Sequence, residues 1–200
     1  MKLLGKGAEA ELYLAEYLGR EALLKKRAQK KYRNPLLDEK IRRERTSMEC
    51  SLLHKAKEVG VRAPVIFNAD KKECSILMEF VEGEQVKKIL SKKNLHLCVG
   101  IGKMIARLHS AGIIHGDLTT SNILLKGKQL VFVDFGLAFN SKKLEDRAVD
   151  LLVFKKTFQA THFNLPKGWG KVVEGYVSES PEGRETVKHI GEIEGRIRYH

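Results

Sequence analysis

Two short polar blocks, separated by a predicted hairpin, constrain this chain more than any other feature. The first reads His-Gly-Asp-Leu-Thr-Thr-Ser-Asn over residues 115–122, and the second reads Asp-Phe-Gly over residues 134–136. Between them, two apolar runs at 123–125 and 130–133 flank a Lys-Gly-Lys turn, which predicts two antiparallel strands. Because a hairpin returns the chain to its starting edge, we expect both blocks to lie on adjacent loops.

The side chains in these blocks suit one kind of chemistry. Asp117 is suited to accept a hydrogen bond from an attacking hydroxyl or water, which makes it the candidate catalytic base. Asn122 offers an amide oxygen and Asp134 a carboxylate, and both are hard ligands for a Mg²⁺ ion that also bridges phosphates. Two unrelated turn acids are the plain alternative, but the order and spacing of the blocks argue against it. The sequence therefore predicts Mg²⁺-dependent phosphoryl transfer.

A lysine upstream completes the predicted set of charges. Ala22-Leu-Leu-Lys25 is typical of the strand that presents a lysine to the α- and β-phosphates of ATP. Strand alternation places Lys25 and its neighbour Lys26 on opposite faces; we choose Lys25, with Lys26 as the competitor. Glu49 is the candidate carboxylate partner, since it lies beside an apolar face of a predicted helix and a charge there needs a partner.

A glycine-containing segment before Lys25 is the candidate nucleotide-covering loop. It comprises Gly5, Lys6, Gly7, Ala8, Glu9 and then Ala10, which stands where a third glycine is usual. Placed between the first two predicted strands, this segment is suited to cover phosphates. Glu9 is expected to repel ATP unless Lys6 or a metal ion offsets its charge.

The segment Met78-Glu79-Phe80-Val81 is the candidate adenine site. In kinases generally, the backbone carbonyl at the Glu79 position and the amide at the Val81 position hold adenine. Met78 would then be the gatekeeper. An ordinary strand end is the alternative for this segment.

The apolar pattern predicts an α+β chain with two lobes. Residues 1–82 read as short strands around one long helix at 36–59, and residues 83–200 read as mostly helical. On the long helix, Met48, Leu52, Leu53 and Ala56 recur at helical spacing and predict its buried face. A ligand site is expected in the cleft between the lobes.

Charge and composition narrow the partners. The formal net charge is +12 with a pI of about 9.6, and basic residues cluster at 25–33, at 40–45 and at the C-terminal end. Such a field favours polyanions, including nucleic acid. Three scattered cysteines predict neither a zinc site nor a disulfide framework, and no apolar segment suggests a membrane span or a leader. We therefore expect a cytoplasmic protein with no membrane partner.

The chain as a whole resembles the small atypical kinase subunit of the KEOPS (EKC) complex, in an archaeal-like short form. The resemblance covers nearly all residues and rests on segments 7–10, 32–35, 43–46, 113–122, 135–139 and 142–151. The Thr-Thr-Ser run before Asn122 is especially indicative. The resemblance implies a two-lobed protein-kinase-like fold that binds ATP and Mg²⁺, with Asp150 bracing the backbone of the catalytic loop, residues 115–122.

The resemblance also implies an activity and partners. Members of this family autophosphorylate on serine or threonine, act largely as ATPases, and support threonylcarbamoyl-adenosine formation on tRNA. The helical lobe is expected to dock on the universal tRNA-modifying catalytic subunit, and the N-terminal lobe on a small KEOPS subunit. The basic surface and the tail at 194–200 are expected to reach tRNA or the catalytic partner.

Two departures from ordinary protein kinases fit the same family. Gly116 stands where those enzymes carry an arginine before the catalytic aspartate, and no Ala-Pro-Glu follows Asp134. The segment after Gly136 is too short for a long activation loop or a peptide-docking platform. We therefore expect activation by a partner rather than by loop phosphorylation.

Three other readings remain open. A small-molecule phosphotransferase of the aminoglycoside or choline kinase type also uses His-Gly-Asp, but such enzymes usually have larger helical lobes and acids that bind a cationic acceptor. A RIO-type ribosome-maturation kinase also lacks a long activation loop, but the motifs at 32–35 and 119–121 argue against it. A tRNA-binding scaffold with a vestigial site is disfavoured by the intact Lys25, Asp117, Asn122 and Asp134.

Overall fold

A twisted antiparallel sheet forms most of the N-terminal lobe in the computed structural model, which describes residues 1–197. The end of the basic tail, residues 198–200, lies outside the described residues. The sheet has the order β1-β2-β3-β5-β4. Its strands are β1 (Lys2–Lys6), β2 (Ala10–Tyr17), β3 (Arg20–Arg27), β4 (Ile66–Asp70) and β5 (Ser75–Glu79). The Leu18-Gly19 turn joins β2 to β3 with both residues at positive φ, which leads directly into an antiparallel register.

One long helix, α1 (Pro35–Glu58), packs against this sheet. It starts at Asn34, whose side-chain oxygen accepts hydrogen bonds from the amides of Leu36 and Leu37 at 3.0 and 3.4 Å. Pro35 occupies the first turn, where a missing N–H costs nothing. The end of the Tyr-Arg-Asn-Pro run at 32–35 therefore caps and starts this helix, and Tyr32 and Arg33 lie in the turn before it.

The buried face of α1 differs from the predicted one at a single position. Leu52, Leu53 and Ala56 are buried as expected, but Met48 is 41% exposed. The buried face runs through Glu49 and Thr46 instead, which turns Met48 toward the side, where its sulfur accepts from Asn140 at 3.5 Å. The assignment of Met48 to the buried face was wrong.

The C-terminal lobe is mainly helical, and the two-lobed α+β fold expected from the sequence is confirmed. Its helices are α2 (Val86–Ile89), α3 (His96–Ser110), α4 (Leu144–Thr161), α5 (Gly168–Glu179) and α6 (Gly183–Ile197). Short strands complete it: β6 (Glu84–Gln85), β7 (Ile113–Ile114), β8 (Ile123–Lys126), β9 (Gln129–Phe132) and β10 (Phe139–Asn140). The predicted hairpin is β8–β9, and β10 pairs with β7.

Helices α3 and α5 pack backbone against backbone and form the centre of this lobe. A Cβ on Gly102 would lie 2.0 Å from the carbonyl oxygen of Val172, and a Cβ on Gly175 would lie 2.0 Å from that of Val99. Glycine is required at both positions because any side chain would push the helices apart. Ile101 and Ile105 of α3 are fully buried beside this contact. Among residues 1–197, no helix combines the length and apolarity needed to cross a membrane.

Candidate active site

The cleft between the lobes contains an apolar cavity of about 310 Å³. Its walls come from both lobes: Leu4, Leu12, Leu23, Leu53, Pro64, Met78, Phe80, Val81, Leu124 and Val133. Glu79 lines the cavity as well, and its carboxylate accepts from Nη2 of Arg62 at 2.6 and 2.5 Å. Met78 is buried on β5, opposite Leu23 of β3. A flat heterocycle such as adenine suits a slot with these walls.

Lys25 lies at the inner end of this cavity, between two carboxylates. Its Nζ is 2.5 Å from Oε1 of Glu49 on α1 and 2.7 Å from Oδ1 of Asp134. Burial opposes the charged form of Lys25, but the two carboxylates outweigh it, so the pKa of Lys25 lies above its ordinary value of 10.5. Lys26 projects from the other face of β3 and contacts Glu73 at 3.1 Å. The structure thus brings Lys25 to the predicted site and places Lys26 outside it.

Asp134 is held in an unusual backbone conformation with its carboxylate toward the cleft. Its φ is +61°, a left-handed value that is uncommon for residues other than glycine. Burial would raise its pKa, yet the charge and hydrogen bond of Lys25 hold the pKa of Asp134 below its ordinary 3.8. The side chain is about half exposed, at 52%, so the second carboxylate oxygen remains accessible to a ligand. Strain of this kind is typical of functional sites.

Asp117 and Asn122 face each other across the catalytic loop. Nδ2 of Asn122 donates to the backbone carbonyl of Asp117 and to its Oδ2, both at 2.9 Å. Its amide nitrogen is engaged in this way, and its amide oxygen has no hydrogen-bond partner among residues 1–197. The structure therefore leaves one oxygen of Asn122 and one carboxylate of Asp134 available for a hard cation.

The available donors suit Mg²⁺ bound together with phosphates. Such ions are commonly held by one or two protein oxygens, with phosphates and waters completing the octahedron. Within the described part of the chain, no three His, Cys, Asp or Glu side chains come together as a metal cage. Asn122 and Asp134 would hold the ion.

Asp150 of α4 holds the backbone of the catalytic loop in place. Its carboxylate accepts from the backbone amides of His115 at 3.0 Å and Gly116 at 2.9 Å, and it contacts Nε2 of His109 at 3.1 Å. Burial would raise the pKa of Asp150, but the hydrogen bonds and charges of His109 and His115 keep it below 3.8. Asp150 therefore braces the loop backbone, as the family resemblance implied.

Gly116 leaves no room for the arginine found in ordinary protein kinases. It has φ of +78°, and a Cβ there would lie 2.5 Å from the carbonyl oxygen of Leu137. The chain after Gly136 approaches the catalytic loop this closely because β10 pairs with β7 and the amide of Ser141 donates to the carbonyl of Gly112 at 3.0 Å. The segment between Gly136 and α4 is thus short and tied down.

The glycine-containing segment covers a second part of the cleft, of about 230 Å³. This part is lined by Gly7, Ala8, Glu9, Ala10, Leu12, Lys25, Asp117, Asp134, Gly136 and Leu137. Gly5 and Lys6 belong to strand β1 and do not line it, and Lys6 pairs with Glu11 at 2.9 Å. Glu9 is offset by Arg45 of α1, with Nη1 at 2.7 Å from Oε2, rather than by Lys6.

Arg27 is a buried residue beside the site that the sequence motifs did not identify. Arg27 is 4% exposed, and its Nη2 lies 2.6 Å from Oε2 of Glu49 and 3.2 Å from the carbonyl oxygen of Gly136. The signal was present, because a residue two positions after Lys25 on a strand shares its face.

Comparison with known proteins identifies a matching domain family and two similar archaeal proteins. A profile described as "Protein kinase domain" matches residues 1–164. The chain is 42% identical to the KEOPS complex subunit Bud32 of Pyrococcus abyssi over all of its own length and 96% of that protein. It is also 44% identical to a probable bifunctional tRNA threonylcarbamoyladenosine biosynthesis protein of Methanobrevibacter smithii, over 98% of this chain. The chain spans 36% of that bifunctional relative.

Solved structures share the fold at much lower identity. A complex of Rio2 kinase with ADP, Mg²⁺ and phosphoaspartate from Chaetomium thermophilum matches with a TM-score of 0.68 at 16% identity, covering 98% of this chain and 70% of that one. WaaP in complex with acyl carrier protein matches with a TM-score of 0.68 at 14% identity, covering 99% and 86%. These similarities concern the fold alone.

Proposed function

Because this chain belongs to the protein kinases and, among them, to the family of the KEOPS complex subunit Bud32, we propose that it is an Mg²⁺- and ATP-dependent autokinase and ATPase serving such a complex in tRNA modification. One observation carries the proposal. Lys25, Glu49 and Asp134 line the apolar cavity between the lobes. Asp117, which Asn122 contacts at 2.9 Å, lines the adjoining part of the cleft together with Lys25 and Asp134.

Each residue has a part in the proposed reaction. Lys25, oriented by Glu49, binds the α- and β-phosphates of ATP, while Gly7, Ala8 and Glu9 cover them from above. Asp117 accepts the proton of the attacking serine or threonine hydroxyl, or of water. Asn122 and Asp134 would hold a Mg²⁺ ion, which would supply positive charge to offset the charge that develops on the phosphates.

The ion pair between Glu9 and Arg45 affects how strongly the covering segment would repel ATP. A free carboxylate beside phosphates would weaken nucleotide binding, but the ion pair with Arg45 offsets the charge of Glu9 and ties the covering segment to α1. The backbone amide of Ala28 donates to the carbonyl of Glu9 at 3.3 Å, which holds the same segment to the end of β3. We therefore expect ATP to bind without help from Lys6.

We assign one protein partner to each lobe. Exposed apolar residues of the C-terminal lobe outside the cleft are proposed to contact the catalytic tRNA-modifying subunit: Phe139, Val149, Val153 and Phe163. On the N-terminal lobe, exposed Leu3, Tyr17 and Leu18 are proposed to contact the small subunit. Within the basic cluster at 25–33, Lys25 and Arg27 are buried in the site and Lys26 pairs with Glu73. The remaining basic residues of the cluster, Lys30, Lys31 and Arg33, and the tail at 194–200 are proposed to contact tRNA phosphates.

The test is ATP hydrolysis by the isolated chain, then with the tRNA-modifying subunit and tRNA added. We expect slow hydrolysis and autophosphorylation alone, and a several-fold rise in turnover with both partners. Lys25→Met provides the inactive control, since it removes the proposed phosphate contact. Stimulation by an aminoglycoside or choline, with no response to tRNA or protein partner, would instead identify a small-molecule phosphotransferase.

A further inference from the structure

Arg27 is the buried charged residue that the proposed reaction leaves without a role. It lies on β3 two residues after Lys25, on the strand face toward α1. Its Nη2 donates both to Oε2 of Glu49 at 2.6 Å and to the carbonyl oxygen of Gly136 at 3.2 Å. A single guanidinium thus joins β3, α1 and the Asp-Phe-Gly segment.

Stability alone does not explain an arginine at this place. Nε and Nη1 of Arg27 are buried and have no hydrogen-bond partner among the described residues. An unsatisfied buried donor costs free energy, and buried ion pairs often stabilise a fold no better than apolar side chains of similar volume. The arginine is therefore better explained by the geometry it imposes on its two acceptors.

The division of charge around Glu49 shows why a second cation is needed. Lys25 is shared between Glu49 and Asp134, at 2.5 and 2.7 Å. In the proposed reaction, nucleotide phosphates compete for the same ammonium group. Arg27 holds the other oxygen of Glu49 and keeps that buried carboxylate paired whatever Lys25 contacts.

We propose that Arg27 is a positioning residue that locks α1 and residues 134–136 into the arrangement competent for phosphoryl transfer. In ordinary kinases an arginine beside the catalytic aspartate responds to a phosphorylated loop, and Gly116 excludes that side chain here. Arg27 lines neither part of the cleft, so it acts through Glu49 and Gly136 rather than on the substrate. The inference rests on the proposed function, since it assigns Arg27 a part in the same site.

The first test compares ATP hydrolysis in Arg27→Met, Arg27→Lys and the matched control Lys26→Met. Lys26 is adjacent to Arg27 on the same strand, but its side chain lies on the opposite face of β3, where it contacts Glu73. We expect Arg27→Met to lower kcat about 10- to 100-fold with the KM for ATP changed less than about threefold, because misplaced groups slow chemistry more than binding. Lys26→Met is expected to match the wild type.

Arg27→Lys keeps the charge but cannot reproduce the fork geometry of a guanidinium. We expect it to recover part of the lost kcat, at a level between Arg27→Met and the wild type. Should Arg27→Met not fold, Arg27→Lys against Lys26→Met carries the same comparison. Wild-type kcat in the folded Arg27 variants would overturn the proposal.

The second test is hydrogen–deuterium exchange without nucleotide, which does not depend on activity. We expect Arg27→Met to speed exchange both in the middle of α1 (residues 46–53) and at residues 134–137. Lys25→Met is expected to leave α1 protected, because Arg27 still holds Glu49. Faster exchange in neither segment, or spread evenly over the N-terminal lobe with normal kcat, would contradict the positioning role.

The two tests separate this inference from the proposed function. If the wild type neither hydrolyses ATP nor phosphorylates itself while the exchange pattern holds, the proposed function fails and the coupling through Arg27 stands. If the wild type is active and Arg27→Met equals it within about twofold, the coupling fails and the function stands.

Discussion

At the level of single residues, the number of cations that each carboxylate contacts distinguishes Glu49 from Asp134. Glu49 accepts from both Lys25 and Arg27, whereas Asp134 shares Lys25 alone and keeps half of its side chain exposed. The fully paired acid is therefore suited to a structural task, and the half-exposed one to binding a metal ion.

Replacing Asp134 by alanine is expected to abolish Mg²⁺-dependent ATP hydrolysis. The change removes a metal ligand, and positioning of charge supplies most of the catalysis, so we expect a loss of at least about 100-fold in kcat. Steady-state hydrolysis with varied Mg²⁺ measures it. Glu174→Ala, an exposed acid on α5, is the control, and unchanged turnover in Asp134→Ala would refute the metal-ligand assignment.

The isosteric change Asp117→Asn tests the catalytic base. An amide cannot accept the proton of the attacking group, so turnover is expected to fall at least about 100-fold. ATP binding is expected to change less than about threefold, since Asp117 does not face the adenine part of the cleft. Calorimetric titration with ATP and single-turnover hydrolysis measure the two effects. Normal turnover with a greatly weakened affinity would contradict the base role.

Some of these residues were predictable from the sequence and others were not. The Ala-Leu-Leu-Lys strand favoured Lys25, strand alternation separated it from the competitor Lys26, and Glu49 was chosen for its place beside Leu52 and Leu53. These arguments are local, and the structure brings Lys25 and Glu49 into contact at 2.5 Å. For Glu9, the sequence named only Lys6 or a metal ion as groups that would offset its charge, and it did not identify Arg45. Arg45 lies far along the chain from Glu9, and only the packing of α1 against the covering segment brings them together.

For the secondary-structure elements, the contact between α3 and α5 is the tightest feature of the C-terminal lobe. Gly102 and Gly175 allow the two helix backbones to touch, and Tyr176 next to Gly175 reaches Nδ1 of His109 on α3 at 2.8 Å. His109 in turn contacts Asp150, which braces the catalytic loop. The helix pair therefore supports the site from beneath.

The change Gly175→Ala is expected to destabilise the protein. The added methyl group would lie 2.0 Å from the carbonyl oxygen of Val99, so the helices must separate, at a cost of about 1–3 kcal/mol or more. Gly170→Ala on the same helix is the matched control, because nothing lies within 4 Å of its Cβ position. That control is expected to be neutral or stabilising by up to about 1 kcal/mol. Chemical denaturation measures both, and equal stabilities would disprove the contact.

Periodicity predicted the long elements better than the short ones. The helix α1 and the hairpin β8–β9 were predicted from their patterns, with ends displaced by a residue or so. The two-residue strands β7 and β10 have no pattern of their own, since only tertiary contact pairs them. The face of α1 was misjudged at Met48 because charged Glu49, not an apolar residue, occupies the centre of its buried side.

For the whole molecule, the net charge of +12 dominates its expected encounters. We expect tRNA affinity to fall about 100-fold between roughly 50 and 200 mM salt, as for about four neutralised phosphates. Filter binding across a salt series measures the slope. Lys31→Ala, an exposed residue of the basic cluster, is expected to reduce the slope by about one, whereas Lys171→Ala on α5 leaves it unchanged. A flat salt response would remove the case for phosphate contacts.

The missing side chain at Gly116 also has an evolutionary consequence. An arginine there is blocked by the backbone of Leu137, so a second mutation that shortens a side chain does not make room for it. A single substitution at Gly116 therefore cannot introduce the arginine that senses a phosphorylated loop in ordinary protein kinases. The segment after Gly136 would first have to become longer and move away from Gly116. A lineage built on this backbone evolves new regulation more readily through the proteins it binds than through changes in its own loop.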